Sequence, residues 1–240
     1  MNFCFLILRG PTSSTPCILI LKEAVMLKRV YVWEVPVRLV HFFNWWCVGI
    51  LTVTGFNMGT PFLVYIVGDE FVMAKMRMIH YITAYVFTAV FMVRMYWLVA
   101  GNRYSSWRGI LLLSKARWKE IYEEILVYSF LKKSTAESWP GHTALASLSY
   151  LIMFILFFLQ IVTGFALYSQ SHVGGFWKFV EGSVFPILNP GYIRLLHHVF
   201  LWVIVLFVSA HFYIAWENEI RVGNSAKSSI FSGYKLTDEK

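Results

Sequence analysis

Four runs of apolar residues, at 37–57, 79–100, 143–168 and 195–216, dominate this sequence. Each can cross a bilayer core of about 30 Å, which takes roughly 20 helical residues. Hydrocarbon offers no water to satisfy backbone amides and carbonyls, so spans of this length are helical. The expected fold class is therefore an all-α membrane protein, a four-transmembrane-helix bundle. Composition agrees: 58% of the 240 residues are hydrophobic and 14% are charged, against about a quarter charged in soluble domains.

The net charge of +8 does not indicate a nucleic-acid partner here, because in a membrane chain the distribution of basic residues among the loops carries the information. Lys22, Lys28, Arg29 and Arg38 flank the first run, and Arg103, Arg108, Lys115, Arg117, Lys119, Lys132 and Lys133 lie between the second and third. The connections 58–78 and 169–194 carry far fewer. The positive-inside rule then puts both termini and the 101–142 loop on the cytoplasmic side, with 58–78 and 169–194 facing outward. Within the cytoplasmic loop, the stretch 114–132 places Trp118, Ile121, Ile125 and Tyr128 at helical spacing. That pattern predicts an amphipathic cytoplasmic helix between spans two and three, lying on the lipid surface.

Residues 1–25 hold two short apolar patches broken by GPTSSTP and have neither a basic start nor a small-residue cleavage site, so they read as an N-terminal extension of unknown role. The bundle occupies 26–225, and 226–240 is a polar, serine-rich tail. Cys4, Cys17 and Cys47 form no C-x-x-C pair. A structural zinc site and a thioether-linked haem are both excluded on that ground.

Three fragments share one spelling, RLVH at 38–41, RMIH at 77–80 and RLLH at 194–197, each at the edge of an apolar run. The histidines sort by depth. His41 lies at the inner end of span one, His80 at the outer end of span two, and His197 and His211 at the outer and inner ends of span four. The last two are 14 residues apart, so they point within about 40° of one another and sit roughly 21 Å apart along the axis. Two pairs follow, His80 with His197 and His41 with His211. Paired imidazoles across a helix bundle suit the iron of a b-type haem, whereas zinc wants three or four ligands at one level.

The arginines fit the same reading. Arg38, Arg77 and Arg194 each share a face with the following histidine, one turn nearer the interface, where a guanidinium pairs with a carboxylate such as a haem propionate. Arg94, inside span two, either snorkels to the surface or reaches the inner propionates. Gly55 and Gly164 lie in the matching stretches TVTGF and IVTGF. They are read either as helix-packing positions or as space for a flat cofactor between helices. His198 points about 100° away from His197 and is expected to serve as a hydrogen-bonding partner; His142 and His172 read as surface residues.

With these residues assembled, the chain resembles the b-type cytochrome subunit of membrane-bound nickel-iron hydrogenases. The resemblance runs from about residue 30 to the end and is carried by RLVHFFNWWCVGILTVTG (38–55), RMIHY (77–81), RMYWLVAGNRYS (94–105), IVTGFALYS (161–169) and RLLHHVFLWVIVLFVSAH (194–211). It implies a four-helix anchor with two haems b, ligated by His41, His80, His197 and His211. It also implies partners, the iron-sulfur small subunit and nickel-iron large subunit of a hydrogenase on the outer face, and a quinone as electron acceptor. Phe42 and His198 depart from the family, which commonly has tryptophan and arginine there. A formate dehydrogenase or related reductase cytochrome uses the same ligand logic, and a haem-free anchor or a metal-ion transporter is the reading from another class. A transporter favours titratable groups near mid-membrane, but here the four histidines sit near the span ends.

Overall fold

A computed structural model describes residues 27–68, 71–110, 114–129, 131–132, 143–172, 174–222 and 228–238. The N-terminal extension and His142 lie outside the described residues. The chain begins with strand β1 (Leu27–Tyr31) and runs through helices α1 (Val35–Gly59), α2 (Phe62–Val67), α3 (Val72–Ala100), α4 (Trp107–Ile110), α5 (Lys115–Tyr128), α6 (Ala144–Ser169), α7 (Gly175–Val184) and α8 (Pro190–Val222). It closes with the single turn α9 (Ser229–Ser232) and strand β2 (Tyr234–Asp238).

Helices α1, α3, α6 and α8 are long and apolar enough to cross a membrane, in the order and number expected. Local chemistry sets their starts. Pro36 sits in the first turn of α1, where its missing amide costs nothing. The Thr143 hydroxyl caps α6 by accepting from the Ala146 amide at 3.3 Å. Helix α3 starts at Val72, seven residues before its apolar run, because Lys75 and Arg77 are good helix formers and continue the coil past the hydrocarbon.

Packing is inverted relative to a soluble protein. Trp45, Trp46, Ile82, Val99, Trp202 and Leu206 are exposed, while Thr54, Asn57, Thr83, Arg94, Ser147 and Thr163 are buried. Lipid replaces the apolar core, and small and polar side chains join the helices. Helix α1 packs along α3 and α6 along α8, with α3 also touching α6. The Phe56 and Trp202 rings, 4.8 Å apart, bring α1 to α8. The four spans therefore stand in the cyclic order α1, α3, α6, α8, with α3 and α8 on one diagonal and α1 and α6 on the other.

One end of the bundle carries both described chain ends. There β1 and β2 pair antiparallel, from Leu27 opposite Asp238 to Tyr31 opposite Tyr234. The Val32 and Trp33 amides donate to the Gly233 carbonyl at 2.9 and 3.1 Å, and the Trp33 indole donates to Ser229 Oγ at 3.0 Å. Gly233 has φ +86°, a left-handed conformation that glycine adopts without strain. Much of the polar tail is thus folded against the entry to α1, an arrangement its own short sequence did not suggest.

Glu34 ties this clasp to α3. Its Oε2 accepts from the Trp97 indole at 3.0 Å, the Asn102 amide at 2.8 Å and the Ser105 hydroxyl at 3.0 Å. Asn102 Nδ2 also donates to the Val32 carbonyl at 3.1 Å. Burial pushes the Glu34 carboxyl up, but the three hydrogen bonds outweigh it and hold the group below the usual carboxylate range.

Helix α5 forms as expected but ends earlier, at Tyr128. Ser114 caps it by accepting from the Ala116 amide at 3.2 Å. Of its predicted apolar face, Ile121 is buried and Tyr128 half-buried, while Trp118 and Ile125 are exposed. Arg117 Nη2 donates to Ser147 Oγ at 2.7 Å and the Leu145 amide donates to Glu124 at 3.3 Å, fastening α5 to the start of α6. Burial raises the Glu124 carboxyl. The short helices α2 and α7, in the opposite connections, carry no signal that the sequence reading picked up.

Candidate functional site

At the end away from the clasp, the four spans surround a cavity of about 820 Å³, within the size range of cofactor sites. His80 of α3 and His197 of α8 line it from one diagonal, and Gly55 of α1 and Gly164 of α6 from the other. The glycines face the histidines. A Cβ at Gly55 would meet His80 Cε1 at 3.6 Å, and one at Gly164 would meet His197 Cε1 at 3.1 Å. Arg77 and Arg194 line the same cavity and are themselves exposed.

Each imidazole is held from behind by a threonine next to a glycine. Thr54 Oγ1 lies 2.8 Å from His80 Nδ1, and Thr163 Oγ1 lies 2.9 Å from His197 Nδ1. Both hydroxyls are 2.7 Å from the carbonyl one helical turn back, of Ile50 and of Leu159, and donate to it. With its one proton committed, each hydroxyl accepts, so the histidine Nδ1–H donates and Nε2 keeps its lone pair. At His197 that lone pair meets Gln160 Nε2 at 3.2 Å, while Gln160 Oε1 is buried with no hydrogen-bond partner.

The second pair lies toward the clasp. The His41 and His211 rings have centroids 6.5 Å apart, and Phe207 stacks on His211 at 5.8 Å. Two imidazoles on opposite sides of one metal, with bonds of about 2 Å, have centroids roughly 6 Å apart. His41 Nδ1 is buried without a hydrogen-bond partner, as are Arg38 Nε and Asn44 Oδ1, one turn to either side of it on α1, and Arg94 Nη1 on α3. Orphaned buried polar atoms are costly, and an orphaned imidazole nitrogen flanked by two more on one helix fits a bound group rich in acceptors and donors. Among the described residues no three of histidine, cysteine, aspartate or glutamate gather as a metal cluster. The donor set is two plus two.

The arginines divide. Arg77 and Arg194 are at the cavity, but Arg38 Nη1 donates to the Ser232 carbonyl at 3.4 Å and so faces the clasp. Arg94 is buried rather than snorkelling; its Nη2 donates to the Ser105 carbonyl at 3.2 Å and its guanidinium lies 5.4 Å over the Phe154 ring. His198 Nδ1 donates to the Arg194 carbonyl at 2.8 Å, as its expected role required. His172, expected at the surface, is half-buried and stacked on Tyr168 at 3.6 Å. Thr54, Thr163, Gln160 and Asn44 escaped the sequence reading, although the repeated T-G-F was the visible trace of the first two.

The prokaryotic cytochrome b561 family model matches residues 32–233. Proteins named "Probable Ni/Fe-hydrogenase B-type cytochrome subunit" are similar over most of their length. The one from Bradyrhizobium diazoefficiens is 37% identical over 221 residues, 88% of each chain. That from Cupriavidus necator is 34% identical over 87% of this chain and 88% of its own. The "Probable Ni/Fe-hydrogenase 1 B-type cytochrome subunit" of Escherichia coli strain K12 is 34% identical over 85% of this chain and 90% of its own. With four helices long and apolar enough to cross a membrane and kinship along nearly the whole chain, this protein belongs to the prokaryotic cytochrome b561 family of membrane b-type cytochromes.

Proposed function

We propose that this chain is a dihaem cytochrome that anchors a periplasmic nickel-iron hydrogenase and passes electrons from hydrogen oxidation to the quinone pool. The observation that carries the reading is the cavity lined by two imidazoles, His80 and His197, each held at Nδ1 by a threonine so that Nε2 carries the lone pair. His80 and His197 hold one haem b, and His41 and His211 hold a second. A haem b, when bound, supplies one-electron iron chemistry at each level.

The chain's own residues position and insulate. Gly55 and Gly164 keep the space between the diagonal histidines clear, and Arg77 and Arg194 offer guanidinium groups to carboxylates at the cavity. Arg38 and Arg94, with Asn44, bring polar atoms to the His41 and His211 level. Exposed apolar side chains seat the bundle in lipid. Hydrogen chemistry itself belongs to the partner's nickel-iron large subunit, with its iron-sulfur small subunit delivering electrons at the outer face. Residues 26–225 make up the dihaem domain, with part of the 226–240 tail as its latch. The charge pattern supports placing the clasp and α5 on the cytoplasmic side, and kinship with prokaryotic cytochromes supports a bacterial inner-membrane location.

The test is a reduced-minus-oxidised visible spectrum of washed membranes carrying the chain with its native partners and hydrogen as sole reductant. Two b-type haems per chain, reduced by hydrogen, are expected. A b-type signal that answers formate or dithionite but never hydrogen discards the hydrogenase partner, and a spectrum without haem discards the histidine pairing.

A further inference from the structure

The two T-G-F stretches, more than 100 residues apart in sequence, do the same thing at opposite corners of one cavity. Each threonine donates its hydroxyl proton to its own helix and accepts from the Nδ1–H of a histidine on the neighbouring span. Each following glycine faces that same histidine. A helical threonine that bonds back to the preceding turn is ordinary. A pair of them whose remaining lone pairs both meet the backs of opposed imidazoles in one cavity is a repeated half-site.

We infer that Thr54 and Thr163 are positioning residues for the outer haem: they fix His80 and His197 in the Nδ1–H tautomer, aim Nε2 at the iron and raise its donor strength. The inference rests on the proposal that these two histidines are haem ligands. Outer-sphere acceptors on the far nitrogen of a ligating histidine orient the ring and raise its basicity. A more basic ligand favours ferric over ferrous iron, so the two hydroxyls lower the potential of the outer centre. At the inner pair, His41 Nδ1 is buried and meets no hydrogen-bond partner among the described residues, so the two levels are tuned differently by construction.

The test uses the intact hydrogenase–cytochrome complex in membranes, with haem content per chain and a redox titration of the b-type bands as readouts. His80→Ala first identifies the outer component as the one it removes. If both components survive His80→Ala, the ligand assignment itself fails, whatever the threonines do. With that assignment in place, Thr54→Val/Thr163→Val moves the outer component to higher potential and weakens its haem retention about tenfold to a hundredfold, with the inner component unchanged. Thr54→Ser/Thr163→Ser keeps both hydroxyls and titrates as the parent does. A valine double variant that titrates like the parent overturns the inference. So does a serine variant that shifts as far as the valine one, because methyl packing would then be the cause. The single variants Thr163→Val and Thr163→Ser repeat the comparison if a double variant fails to accumulate.

Discussion

The two histidine pairs occupy one bundle but are built on different plans. At the end away from the clasp, His80 and His197 are each fixed by a hydroxyl that is already satisfied by its own helix, and glycines hold the space between them. At the clasp end, His211 stacks on Phe207, and His41 Nδ1 is buried without a hydrogen-bond partner, as are Arg38 Nε and Asn44 Oδ1 a turn to either side of it on α1. The imidazoles of the first site are already anchored by the protein, although Gln160 Oε1 beside them is an orphan too, whereas His41 of the second is not. Preorganisation lowers the cost of binding, so the two centres should differ in how tightly they keep their cofactor.

The most severe way to break this comparison is at the ligand. His197→Ala is expected to remove one of two haems and to abolish hydrogen-driven reduction of the other, read as haem content and a hydrogen-reduced spectrum. Full haem retention in that variant would falsify the ligand assignment. The glycines give a graded version. At Gly164 a Cβ would meet His197 at 3.1 Å, tighter than ordinary packing, but at Gly55 it would meet His80 at 3.6 Å, an ordinary contact. Gly164→Ala should therefore deplete the outer haem several-fold more than Gly55→Ala, with the inner haem untouched in both. Equal depletion would mean that the cavity is not shaped as described.

Asn44 sharpens the other side. Its Oδ1 is buried without a hydrogen-bond partner, a situation costing about 1–3 kcal/mol. Asn44→Leu should raise the thermal midpoint of the haem-depleted protein in detergent and weaken retention of the inner haem alone. The smallest effect is expected in the clasp itself. Glu34→Gln replaces charge-assisted bonds in the clasp, a loss of about 1 kcal/mol, visible as a lowered midpoint with both haems retained. Because the folded Glu34 carboxyl titrates below its ordinary value, its stabilisation is fully present above the unfolded carboxylate pKa. It is lost as pH falls through the folded value. The gap between parent and variant should close in acid, and a gap that persists there would assign the effect to packing.

Much of this was legible in the sequence because the signals are local. Apolar runs report lipid contact, and a 14-residue spacing on one helix fixes both depth and direction for His197 and His211. Span ends were less legible, since hydropathy marks where lipid stops and not where the helix does; α3 starts at Val72 for that reason. The R-x-x-H spelling accompanies arginines that line the cavity at Arg77 and Arg194, whereas Arg38 meets the carbonyl of a residue almost 200 positions away. The threonine anchors and the β1–β2 pair share that difficulty, because the partners lie on other elements and no periodicity announces them. In the same way, N-R-Y-S in the 101–105 turn drew notice as a family stretch while its local work, receiving Glu34, showed only in three dimensions.

The clasp also has a bearing on biosynthesis. Strand β2, Ser229 and Gly233 follow all four spans in the chain, yet they secure the entry to the first span. A chain still on the ribosome can insert its spans one after another, but it cannot latch the first to the last until the residues beyond the fourth span have been made. Final consolidation of the site beside the latch therefore comes after insertion, and a chain interrupted before Ser229 holds four inserted helices without their fastening.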